Sequence, residues 1–228
     1  MQTMTAAQNS AALAPETHSV EKAMSDLEFA ALLVSRVCHD LVSPVGAVVN
    51  GLEVLEDERD ATMRADALKL VASSAEQAAA RLQFARIAFG AAGSAGAQLD
   101  LNEVGRVVQG LVRGGKVEID WQAANLNWPK DWAKLLMNAT LLAVDALPRG
   151  GKVVVQTSGD AETPGFTVRA AGLNARFLEE VEKAARGEST VPLDGRSIQA
   201  FLTHKLARQV NAGLTISMAD GRVELIAG

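Results

Sequence analysis

Two long stretches of apolar residues at helical spacing, separated by five charged positions, constrain this chain before anything else does. From Leu27 to about Glu56, the residues Val34, Cys38, Leu41, Val45, Val48, Leu52 and Leu55 recur three or four positions apart, the heptad stripe of a helix that packs on another. After Glu56, Asp57, Glu58, Arg59 and Asp60 the same spacing resumes with Ala67, Val71, Ala75, Ala78, Leu82, Ala85 and Phe89. So short a connection folds the two helices back on each other as an antiparallel hairpin. The alanine-rich second helix offers only a shallow face, so the hairpin is expected to dimerise into a four-helix bundle. An intramolecular bundle and packing onto the C-terminal half are the competing arrangements.

Beyond the hairpin the composition turns abruptly to Gly, Ala and Ser, which places a linker over 91–98 between a helical domain at 26–90 and a mixed domain at 99–228. In that second domain Leu101 to Val112 has the pattern of an amphipathic helix, and Lys116 to Trp121 alternates as a strand. Pro129 stands near the start of a helix to about Leu147, and Pro148 to Gly151 turn the chain. Strands are expected over Lys152 to Thr157 and Gly165 to Ala170, and helices over Ala175 to Arg186, with Phe177, Leu178 and Val181 on one side, and Ser197 to Val210. Leu214 to Met218 and Arg222 to Ile226, joined by Ala219, Asp220 and Gly221, make a closing hairpin with an Asp-Gly turn. The fold class is α+β: a helical hairpin followed by an α/β sandwich.

A net charge of −5 from 22 basic and 27 acidic residues leaves no cationic field for nucleic acid or anionic lipid, which directs attention to protein partners. Residues 1–25 lack the basic start and apolar run of a signal peptide and are expected to form a disordered lead. The single cysteine, Cys38, has no partner for a disulfide. It suits a reducing cytoplasm and is placed in the heptad seam as a small hydrophobe. No stretch reaches about 20 uninterrupted apolar residues, the length a membrane helix needs. The chain is therefore read as soluble and cytoplasmic.

Within the first helix stands His39, Asp40, Leu41, Val42, Ser43, Pro44. His39 falls beside the apolar seam and should reach solvent, where a neutral imidazole offers a lone pair near pH 7. Metal ligation wants a second ligand at i+3 or i+4, where Val42 and Ser43 stand. Serine hydrolysis wants a sharp glycine-flanked turn that Ser43 lacks. Phosphoryl acceptance fits better. Asp40 can accept a hydrogen bond from one ring nitrogen, fixing the tautomer and freeing the other nitrogen to attack, and Ser43 lies one turn along on the same face. Pro44 cannot donate to the carbonyl of Asp40, so the helix is expected to bend there and expose that backbone oxygen. Gly46 and Ala47 keep the next turn thin for a partner.

In that order and context, the six residues resemble the phosphoacceptor box of sensor histidine kinases. The second domain should then resemble that family's ATP-binding sandwich, yet its signatures are missing. Asn138 has no paired asparagines after it, only Val144, Asp145 and Ala146. Arg169 to Asn174 supply no aspartate for adenine, and Gly195, Arg196, Ser197, Ile198, Gln199 and Ala200 stand where lid glycines belong. Without those groups nucleotide binding should be lost.

The whole pattern resembles the ChpT-type histidine phosphotransferases of alphaproteobacteria. Beyond the box, the similarity covers Gly51 to Asp57, Ser73 to Ala75, Leu82 to Phe84, Arg86, and Ala88 to Gly90. The resemblance implies a homodimer with a phosphohistidine at His39, beside Asp40 and Ser43, and a second domain that no longer binds ATP. It implies no cofactor of its own, magnesium being supplied by the partner receiver domain. The partners it implies are the receiver of a CckA-like hybrid kinase as donor and CtrA-like and CpdR-like receivers as acceptors, in a cell-cycle relay. Arg36, Pro44, Ala47, Val48, Asn50 and Gly51 on the first helix, and Leu82, Phe84 and Arg86 on the second, are candidate docking contacts. Two other classes compete: a divergent ATP-dependent histidine kinase, and a noncatalytic dimeric adaptor. His18 and His204 are expected to be ordinary surface residues, and Trp121, Trp128 and Trp132 to be core.

Overall fold

Ser25 opens the first helix with a reciprocal cap: its hydroxyl accepts from the Glu28 amide at 3.2 Å while its own amide donates to the Glu28 carboxylate at 2.9 Å. Two orphan donors are thereby satisfied where the helix begins. The structure, a computed structural model, describes residues 24–90, 96–188 and 192–228. Most of the expected lead and of the 91–98 linker, together with His18, lies outside the described residues.

Helix α1 runs Asp26–Asp57 and α2 runs Ala61–Ala88. Asp60 caps α2 by accepting from the amides of Thr62 and Met63, and Arg64 reaches back to the carbonyl of Glu58 at 2.9 Å. The turn is held from both sides, and the antiparallel hairpin follows. On α1 the face toward α2 carries Val37, Leu41, Pro44, Val48, Gly51 and Leu55, of which Pro44 and Gly51 are buried. Gly51 is the point of closest approach, since a Cβ there would lie 2.6 Å from Val71 Cγ2.

The heptad reading is corrected here. Val34, Cys38, Val45 and Leu52 are exposed on a second apolar face that points away from α2, together with Val42 and Val49. On α2 the buried positions are Ala67, Ser74, Phe84 and Ala88, so Ala75 and Leu82 lie outside the seam. One apolar residue in three or four along a helix does not distinguish one broad stripe from two adjacent ones. By length and composition alone α1 is apolar enough to cross a bilayer, although Arg36, His39 and Asp40 interrupt its apolar run. It instead packs along α2 and carries Arg36 and Asp40 in ion pairs.

In the second domain β1 (Gln98–Asp100) pairs antiparallel with β3 (Asn127–Pro129), two short strands that the sequence reading missed, the first of them starting at the last residue of the expected linker. Helix α3 spans Leu101–Val112 and α4 spans Lys130–Asp145. A five-stranded sheet has the order β2-β4-β5-β7-β6, from Val117–Gln122, Gly151–Ser158, Gly165–Ala171, Arg222–Ala227 and Thr215–Ala219. Only the β2–β4 pair is parallel. The Asp-Gly turn between β6 and β7 has φ of 50° at Asp220 and 71° at Gly221, the doubly left-handed geometry of a tight hairpin.

Register puts Ile119, Val153, Ala170 and Val223 in one row and Val155, Val168, Leu225 and Ile216 in the next. All are buried against the helical layer. The opposite face is polar, with Arg169 bonded to Glu224 and Gln156, and Lys152 to Asp120. Helices α3 and α4 lie on the apolar face, α6 (Ile198–Gln209) packs on α4, and α5 (Glu179–Arg186) packs on α6. Helix α5 is shorter than expected, Glu179–Arg186, because Ala175 and Phe177 pack into the core from an irregular segment. Trp128 is fully buried and meets Trp132 edge to face at 6.2 Å, while Trp121 is half-buried.

Candidate functional site

The hairpin is joined to the second domain along three lines. Asn138 on α4 donates to the carbonyl of Ala88 at the end of α2, and Lys134 donates to the carbonyl of Gly90. These groups cap carbonyls that a helix end leaves without partners. Near the start of α1, Phe29 stands edge to face with Phe201 of α6, and the Lys205 ammonium lies 5.2 Å from the Phe201 ring centre. His204 stacks on the same Phe201, so it is part of this contact and not the plain surface residue expected. Between these, Arg36 of α1 reaches Asp145 at the end of α4, nitrogen to oxygen 3.0 Å.

That junction places His39. The imidazole is 87% exposed, and its Nδ1 lies 3.3 Å from Asp40 Oδ1. An ionised carboxylate only accepts, so the pairing makes Nδ1 the protonated nitrogen and leaves the lone pair on Nε2, toward solvent. The other Asp40 oxygen, Oδ2, accepts from Arg36 Nε at 2.9 Å. Each oxygen of this carboxylate thus has its own donor.

The Arg36 guanidinium is only 13% exposed. Burial works against its charge, and the carboxylates of Asp145 and Asp40 more than offset this, holding it protonated more firmly than an ordinary arginine. Asp145 is pushed the other way for an acid: protein crowding raises its pKa, with Arg36 pulling against that rise. A cavity of about 170 Å³ beneath is lined by Arg36, Asp40, Arg81, Phe84, Leu141 and Asp145.

The expectation of an exposed carbonyl at Pro44 is overturned. Helix α1 is unbroken across Pro44, and the Asp40 carbonyl accepts from Arg81 Nη1 of α2 at 2.9 Å. A side chain from the neighbouring helix replaces the missing amide, and no sequence spacing within α1 could have disclosed it.

Ser43 is exposed one turn beyond His39, and Asn50, three turns on, is exposed on the same face. Leu82 and Arg86 are exposed, and Ala47 and Val48 are half-buried. Pro44, Gly51 and Phe84 are buried inside the hairpin and do not present the docking contacts expected of them. Arg36 is likewise engaged within the protein. Cys38 is exposed and lies outside the seam assigned to it. Asp145 and Arg81 were not singled out from sequence. Among the described residues, no group of three or more His, Cys, Asp or Glu stands where it could hold a metal ion.

Comparison with known proteins agrees with this arrangement. The chain is 44% identical over 204 residues to the protein phosphotransferase ChpT of Brucella abortus (strain 2308), spanning 88% of this chain and 94% of that one. It is similar to a bacterial phosphotransferase of known structure at a TM-score of 0.81 and 37% identity, over 90% of this chain and 98% of the other. Residues 101–222 match the family described as the histidine phosphotransferase C-terminal domain. With a histidine exposed on a helical hairpin and an α/β sandwich locked against it, the chain belongs to the histidine phosphotransferase family.

Proposed function

We propose that the protein is the middle station of a phosphorelay and that His39 is its acceptor. A phosphorylated receiver domain docks on the hairpin with its aspartyl phosphate in line with Nε2 of His39. The N–P bond forms as the P–O bond to the receiver aspartate breaks, and the electron pair leaves with the aspartate carboxylate. Magnesium held by the receiver neutralises the phosphoryl oxygens. Run backwards, the same step hands the group to the aspartate of a second receiver, with no nucleotide required.

The observation that carries this reading is the Asp40–His39 pair. Asp40 accepts from one ring nitrogen and so orients the imidazole, and the other nitrogen faces outward on a highly exposed ring. Ser43, Ala47, Val48, Asn50, Leu82 and Arg86 surround the approach as docking contacts. The second apolar face of α1, with Val34, Val45, Val49 and Leu52 exposed, supports a homodimer built through a four-helix bundle, because a soluble monomer seldom exposes so continuous a stripe. The family resemblance suggests a CckA-like hybrid kinase receiver as donor, CtrA-like and CpdR-like receivers as acceptors, and a cytoplasmic site of action.

The test is to mix the protein with a receiver carrying labelled phosphate and follow acid-labile label onto the chain and then onto a second receiver. The unaltered protein takes and passes the label without ATP, whereas His39→Gln takes none. Label acquired from ATP without any receiver overturns the relay reading, and signalling that survives His39→Gln points to an adaptor.

A further inference from the structure

The second domain meets Arg36, beside the phosphoacceptor site, through the Gly195 carbonyl, 3.5 Å from Nη1, and through the Asp145 carboxylate, which begins a charged chain to His39. Asp145 Oδ2 accepts from Arg36 Nη2 at 3.0 Å, Arg36 Nε donates to Asp40 Oδ2 at 2.9 Å, and Asp40 Oδ1 faces His39 Nδ1 at 3.3 Å. We propose that Asp145 is a positioning residue for phosphoryl transfer at His39, acting through Arg36 and Asp40. The role rests on His39 being the acceptor.

The geometry argues for it on three grounds. First, a guanidinium is a planar fork that readily takes both oxygens of one carboxylate. Here the fork is divided, Nε toward Asp40 and Nη2 toward Asp145. Division keeps Asp40 Oδ1 out of Arg36's reach and turned to the imidazole. Without the second anion, Arg36 is free to close on both oxygens of Asp40 and draw Oδ1 from His39.

Second, the contact is fixed in space. Asp145 ends the same helix whose Asn138 and Lys134 hold the end of α2, and the Phe29–Phe201 contact pins α1 to α6. The second domain therefore presents Asp145 to Arg36 at a set distance. A freely tethered domain would not.

Third, the pair is not a device for stability. Asp145 keeps 43% of its side-chain surface exposed, and an ion pair open to water adds little to stability, so its use lies in what it orients.

The experiment compares the unaltered full-length protein with Asp145→Asn and Asp145→Glu, using a receiver domain phosphorylated with labelled phosphate as donor. Asp145→Asn keeps the shape and removes the charge. At saturating receiver its rate of labelling at His39 falls about tenfold, the equivalent of one orienting hydrogen bond. The receiver concentration for half-maximal rate stays within about twofold, because the docking surface is untouched. Nitrogen-15 NMR of the His39 ring in the unphosphorylated protein shows the Nδ1–H form giving way to Nε2–H, and the urea midpoint is not lowered. Asp145→Glu, which restores the anion, recovers most of the rate.

Label on His39 at an unchanged rate in Asp145→Asn overturns the positioning role alone, as does a slower rate accompanied by a lowered urea midpoint and an unchanged tautomer ratio. An unaltered protein that takes no label at His39 overturns the acceptor reading, and this role with it.

Discussion

Arg81 of one helix donates to the backbone carbonyl of Asp40 in the other at 2.9 Å, which is the carbonyl that Pro44 leaves without an amide. The residue next to the phosphoacceptor is thus fixed through its main chain by Arg81 and through its side chain by Arg36. A proline in a helix interior ordinarily costs about 3 kcal/mol through a lost hydrogen bond and a crowded turn; here the hydrogen-bonding part of that loss is made good from α2.

Removing this substitute donor should cost stability in a way that depends on Pro44. Arg81→Met is expected to destabilise the protein by about 1–3 kcal/mol, the penalty of an unsatisfied polar group. In a Pro44→Ala background an amide is restored and the same change costs less. A double-mutant cycle by urea denaturation measures the difference, and additivity would mean that Arg81 does not stand in for the amide.

Two glycines of α1 should respond oppositely. At Gly46 a Cβ meets nothing within 4 Å, so Gly46→Ala gains up to about 1 kcal/mol of helix propensity. At Gly51 a Cβ would lie 2.6 Å from Val71 Cγ2, and Gly51→Val is expected to lose about 1–3 kcal/mol by overpacking. Thermal unfolding of the two variants beside the unaltered protein distinguishes them by sign.

Gln199 is fully buried in α6, and neither polar atom of its side-chain amide has a hydrogen-bond partner among the described residues. A buried polar group without a partner costs about 1–3 kcal/mol. Gln199→Met, close in shape and without the amide, should therefore raise stability by about 1 kcal/mol or more. A lowered urea midpoint would count against this account of the residue.

Acid titration should reveal Asp145. Its folded pKa is raised by crowding against the partial compensation of Arg36, with Asp40 and Arg81 also facing it from α1 and α2. A raised acid contributes stability below its unfolded pKa and loses it as pH climbs through the folded value. Relative to Asp145→Asn, the unaltered protein should be favoured near pH 4, lose that advantage as pH rises above the ordinary aspartate range, and show no further change toward neutrality. Denaturation curves for both proteins across that interval test the sign; an advantage that grew with pH would contradict it.

The order of elements was legible because its signals are local. Heptad spacing and a charged break make a helical hairpin, alternating β-branched residues make strands, and Asp220-Gly221 makes the tight turn observed. The register of the hairpin was not, because α1 carries two apolar faces and spacing alone does not say which one α2 covers. Val37, Pro44 and Gly51 face inward, whereas Val34, Cys38 and Leu52 do not.

The same division runs through the site. That His39 and Asp40 act as neighbours follows from the chain alone, because adjacency on a helix brings an acid beside an imidazole and the surrounding pattern leaves that histidine outside the apolar stripe. What holds Asp40 follows from how the helices pack. Arg81, which holds its carbonyl, comes from 41 residues away and Asp145, which holds Arg36, from beyond 100; their contacts exist because α2 packs on α1 and α4 packs on α2. Hydrogen bonds and charge pairs act over a few ångströms in space and carry no trace of separation along the chain, so the groups that orient the acceptor are visible only once the chain is folded.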